Sequence, residues 1–182
     1  MKISRVAAVV TVLSLVIATP ALATQPDLEV PIKGTVVGAH WIDEAAPGCD
    51  GDALWRFESS GTGQMSHLGR VDYFMTQCSF FDPDQGFTFG DGTITFTAAN
   101  HDTLVIAQTG SAGMIGDFAG FTLKGTWEAV GGTGRFTNAT GSGSMDGIGD
   151  IPGGDALFNL PDGAAMFNFV GKIAYEASDR SK

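Results

Sequence analysis

The chain is poor in cysteine, in cations and in helical pattern. It has 2 Cys, 2 Tyr, and 10 Lys and Arg against 20 Asp and Glu in 182 residues. Two cysteines exclude a multi-bridge scaffold and a zinc site built from cysteine alone. The shortage of cations leaves a formal net charge of −10. That excludes the clustered Lys and Arg that grip a phosphate backbone, so no nucleic-acid partner is expected. Gly131-Gly132-Thr133-Gly134 lacks the Gly-Lys-Ser/Thr ending of a phosphate loop, and no Gly-x-Ser-x-Gly hydrolase elbow is present. What the chain does have is 26 Gly, 13 Phe and 43% hydrophobic residues, too apolar for a disordered acidic tail and enough for one domain with a core.

The first 23 residues read as a cleaved secretory signal. Lys2 and Arg5 are followed by an apolar run over Val6–Ile17 and by Ala21-Leu22-Ala23, a small-x-small cleavage site. A single domain over 24–182 is then expected, with no membrane span after signal cleavage and a periplasmic or extracellular location. An oxidising compartment makes a Cys49–Cys78 disulfide plausible. If Gly61-Thr62-Gly63-Gln64 forms a hairpin that reverses between Gly63 and Gln64, the two cysteines are equidistant from the reversal and lie opposite each other in a regular ladder.

Beyond the leader, alternation and turn punctuation predict eight strands, near 30–39, 53–59, 65–80, 92–98, 103–109, 118–130, 140–147 and 164–176. Phe121, Leu123, Gly125, Trp127 and Ala129 alternate with Thr122, Lys124, Thr126 and Glu128, giving one buried and one wet face. Strand seven, built from Gly, Ser and Thr, predicts a bend or a close approach of backbone. The expected fold class is all-β, an eight-stranded antiparallel up-and-down β-barrel, because closure removes exposed sheet edges.

Val130-Gly131-Gly132-Thr133-Gly134-Arg135-Phe136, followed by Ala139-Thr140-Gly141, resembles the signature of dirigent proteins and allene oxide cyclases. Gly61-Thr62-Gly63 with Ser66-His67-Leu68-Gly69, and Thr97-Ala98-Ala99-Asn100-His101-Asp102, are similar to bacterial secreted members of that superfamily. The usual form of the last segment has Gly where His101 stands. Phe169-Val170-Gly171-Lys172-Ile173 fits as well. The resemblance spans residues 30–176 and implies an eight-stranded barrel whose interior takes small apolar molecules. No catalytic residue of the family is matched here.

Three readings of function follow. The first is binding of an apolar or aromatic small molecule in the barrel, with Trp55, Phe57, Phe74, Phe96, Trp127, Phe167 and Phe169 as lining residues. The second is an isomerase or cyclase, in which an inward Glu58, Asp72 or Glu128 serves as general base. The third is a filled barrel that forms a homo-oligomer through its outer face. With the hairpin centred on Gly61–Gln64, Trp55 and Phe57 share a face with Leu68, Arg70, Asp72 and Phe74, and the inward face is left open. No cofactor is expected. Nor is a metal: His40, His67 and His101 have no spacing that makes them converge, and Asp82-x-Asp84-x-Gly86 lacks the later ligands of a calcium loop.

Overall fold

The computed structural model describes residues 29–153, 157–158 and 160–176. Residues 1–23, expected to be a secretory signal, lie outside the described residues. Eight antiparallel strands close into a barrel in the order β1-β2-β3-β4-β5-β6-β7-β8. They are β1 Val30–Asp43, β2 Trp55–Met65, β3 Gly69–Asp82, β4 Gly86–Ala98, β5 Thr103–Ile115, β6 Gly120–Gly132, β7 Thr140–Asp150 and β8 Ala164–Ala174. The barrel seam joins β1 to β8, with Val36 opposite Phe167. A single 3-10 turn, Gly134–Phe136, lies between β6 and β7. No helix among the described residues is long and apolar enough to cross a membrane.

Alternation places one side chain in two inside. Val36, Met75, Ile94, Phe96, Phe167 and Phe169 meet at the middle of the barrel with at most 1% of their surface exposed. Each such side chain contributes about 1.5–3 kcal/mol of apolar burial. The glycines of β7 are the counterpart of these rings. A Cβ built at Gly143 would stand 2.6 Å from Trp127, and one at Gly147 would stand 2.5 Å from Phe167. The bare β7 backbone therefore leaves room for aromatic rings from β6 and β8, the close approach that its composition predicted.

The β2–β3 hairpin differs from expectation. Its strands pair Met65 with Gly69 and Phe57 with Gln77, so the tip is Ser66-His67-Leu68, not Gly61–Gln64. Gly61 and Gly63 lie inside β2, where a Cβ on either would strike the backbone of β1. They permit close strand packing, whereas the turn uses His67 at φ 67° and Gly69 at φ 75°. The shift in register exchanges the faces of β3. Val71, Tyr73, Met75 and Gln77 point inward with Phe57, while Asp72 and Phe74 point outward. The Cys49–Cys78 disulfide is present, with Cα atoms 5.7 Å apart. Cys78 faces Arg56 in the ladder, so Cys49 reaches it from the β1–β2 loop and not as an opposite strand position.

Several strands also run further than punctuation suggested. Gly110–Ile115 belongs to β5 and Gly86–Asp91 to β4. The irregularity between Phe89 and Gly92, with Asp91 at φ 49°, is a bulge. It re-aims the chain so that Phe89, Ile94 and Phe96 are all buried despite their unequal parity.

Candidate functional site

The two ends of the barrel are built differently. At one end the Gly131–Phe136 segment folds over the opening. Phe136 is fully buried and Tyr175 packs on it with ring centroids 5.0 Å apart. Arg135 lies over both rings, donates to the His67 carbonyl and approaches Asp102 at 3.9 Å. Gly134 takes φ 57°, and a Cβ there would meet the Asp102 carboxylate. Thr133 Oγ1 accepts from the Thr103 amide at 2.9 Å. The segment that carries the family resemblance is thus a plug.

At the opposite end, Ile42, Trp55, Phe57, Phe87, Met114, Phe121 and Leu123 surround an apolar void of about 30 Å3, with Gln77 and Ser79 contributing its polar groups. Aromatic rings set its shape. Trp55 and Phe87 lie 5.5 Å apart, Phe81 and Phe87 5.1 Å, and Phe57 meets Phe121 edge-on at 5.6 Å. The surrounding rim is also apolar, with Leu54, Phe81, Ile115 and Phe118 each more than a third exposed. Two larger depressions, about 700 and 480 Å3, lie on the outer wall around Thr35 and Asn168 and around Asp91 and Glu128. They are open troughs over strands, without an enclosing apolar wall.

Behind the void stands a set of buried polar groups. Gln108 Nε2 donates to Gln77 Oε1 at 3.1 Å, and Gln108 Oε1 has no partner among the described residues. Ser59 and Tyr73 share a hydroxyl hydrogen bond of 2.7 Å. Burial pushes the Tyr73 phenol up to about 12, so at neutral pH it is a neutral hydrogen-bonding group and not a phenolate. His40 stacks on Phe57 and meets Phe121 edge-on, each at 5.2 Å, and neither ring nitrogen lies within direct hydrogen-bond geometry of a partner among the described residues. Burial holds its pKa below the usual value, against the opposing pull of the Gly163 carbonyl and the Asp150 carboxylate. A neutral imidazole has both a donor and an acceptor.

Of the residues singled out by sequence, Trp55 and Phe57 line the mouth void. Phe96, Trp127, Phe167 and Phe169 are buried deeper, in the packed core. Phe74 is 45% exposed on the outer wall, because the β2–β3 register turns it outward. The three strand carboxylates also sit outside. Glu58 accepts from Trp41 Nε1 at 2.9 Å and pairs with Arg56 at 2.6 Å, while Asp72 and Glu128 are exposed. The histidines do not converge: His40 is inside, His67 tips the β2–β3 hairpin and His101 lies in the β4–β5 turn. His40, Gln77, Ser79 and Gln108 were missed as site residues. The detectable signal was inward parity, but it required the correct register for β3.

No family model and no curated protein matches the chain. Among solved structures it is similar to the pterocarpan synthase dirigent protein GePTS1, at 14% identity over 85% of this chain and 90% of that chain, with a TM-score of 0.42.

Proposed function

We propose that this protein binds an apolar or aromatic small molecule at the open end of its barrel. The carrying observation is the mouth void itself, walled by aromatic and aliphatic side chains and furnished with Gln77 and Ser79. This is the usual make-up of a small-molecule site. A space of about 30 Å3 admits little more than a water-sized group. A ring therefore enters as partly exposed side chains yield, chiefly Met114, whose unbranched thioether adapts readily. Isomerase or cyclase chemistry receives no support from Glu58, Asp72 or Glu128, which stand outside the barrel. Export remains part of the proposal: the leader pattern and the Cys49–Cys78 bond favour an oxidising compartment.

Titration calorimetry with 2-naphthylmethanol tests the reading. Saturable one-to-one binding is expected, and Ala112→Phe, which places a ring in the void, is expected to weaken it about ten-fold, the equivalent of 1.4 kcal/mol. Absence of binding, or binding indifferent to Ala112→Phe, would overturn it.

A further inference from the structure

The mouth void is polar on one side only, and that side carries no charge. Gln77 and Ser79 line it from β3, Gln77 the deeper of the two, and none of the residues that line it is ionisable. An ammonium or a carboxylate pushed to its floor would be buried without a counter-charge, at high cost. An uncharged group with the right hydrogen-bonding sense would not.

The sense is set by the neighbours of Gln77. This residue is 2% exposed and sits where the β3–β4 register shifts between Thr76 and Cys78, an irregularity of the kind that re-aims a side chain. Beside it on β4 is Gly92, where a Cβ would stand 2.8 Å from the Gln77 Cβ. Gly92 in turn pairs with Gln108 on β5. The bare glycine lets the two amides meet across β4. Gln108 Nε2 donates to Gln77 Oε1 at 3.1 Å and lies 3.5 Å from the Thr76 carbonyl oxygen. The Thr76 contact decides which end of each amide is which. Turning Gln108 over would set its Oε1 against that carbonyl, acceptor against acceptor. With its Oε1 engaged, Gln77 has the hydrogens of Nε2 to offer the void. The Ser79 hydroxyl can donate as well. Size agrees: a space of about 30 Å3 admits a water-sized group, and a carbonyl oxygen is one.

Resting on the small-molecule reading above, we infer that the ligand is an uncharged carbonyl compound: an apolar or aromatic body whose carbonyl oxygen accepts from Gln77 at the floor of the void. The ring stays nearer the aromatic rim. Gln108 is a positioning residue, which acts by fixing the amide of Gln77. A hydrocarbon of the same shape leaves the Gln77 donor buried and unpaired, which costs affinity.

Two probes of one shape separate this inference from the reading beneath it: 2-acetonaphthone and the hydrocarbon 2-isopropenylnaphthalene, each titrated into the protein. Gln77→Met, which keeps the side-chain length and removes the donor, is expected to cost the ketone about ten-fold more affinity than the hydrocarbon. Gln108→Met, which frees the Gln77 amide to turn, should shift the same ratio in the same direction by less. Infrared spectroscopy of the wild-type complex gives an answer even if Gln77→Met does not fold: the carbonyl stretch of the bound ketone is expected below its value in hexane. Equal losses for the two probes in Gln77→Met, or a bound carbonyl stretch at its hexane value, would overturn the carbonyl inference and leave the small-molecule reading standing. Failure of both probes to bind the wild type would overturn both.

Discussion

Burial holds the imidazole of His40 below its ordinary pKa of 6.5, and the direction of its effect on stability follows. The unfolded imidazole takes up its proton near pH 6.5 and the folded one only at lower pH. Its neutral burial is therefore fully compatible with folding above that pH, and stability is lost as pH falls from about 6.5 to the folded value. The slope cannot exceed about 1.4 kcal/mol per pH unit for one group. Chemical denaturation of the wild type and His40→Phe across pH 7.5 to 5 should show the wild type losing stability relative to the variant as pH falls. A constant difference would show that His40 does not titrate differently in the two states. At this scale the sequence was partly legible. The inward rings of β6 and β8 follow from strict alternation, with Trp127 and Phe167 as examples. His40 was not legible, because a histidine near a strand end reads equally as surface until the barrel closes around it.

The β2–β3 hairpin shows where element-level reading succeeded and failed. Both strands were evident from their composition, but glycine has two uses and Gly61-Thr62-Gly63 serves the one that is not a turn. There the missing side chains let β2 lie close on β1, and the reversal falls at Ser66-His67-Leu68. That shift alone moved Phe74 and Asp72 to the outer wall and brought Gln77 to the void. The disulfide pairing was correct for a different geometric reason: the β1–β2 loop folds back so that Cys49 meets Cys78. With the partners separated by 29 positions in sequence, the bond should contribute about 3 kcal/mol by restricting the unfolded chain. Urea unfolding of Cys49→Ser/Cys78→Ser should show a loss of that order. An unchanged midpoint would mean that the loop is held without it.

Among the described residues, the barrel is plugged at one end and keeps its apolar void at the other. The Gly131–Phe136 plug, with Phe136 fully buried and Arg135 bridging to His67 and Asp102, seals one end. The middle is filled by Phe96, Phe167 and Phe169. An apolar void among the described residues lies at the mouth, within a rim that includes Leu54, Phe81 and Phe118. Barrel architecture was legible from alternation and punctuation, because those patterns are local. The inequality of the ends was not, since it depends on which loops the closed topology gathers together. Methyl-resolved NMR of the protein titrated with 2-naphthylmethanol tests the central claim most directly. The account predicts saturable shifts at Ile42, Met114 and Leu123 around the void, with Val170 on the outer wall unmoved. Shifts confined to the outer wall, or none at saturating probe, would contradict it.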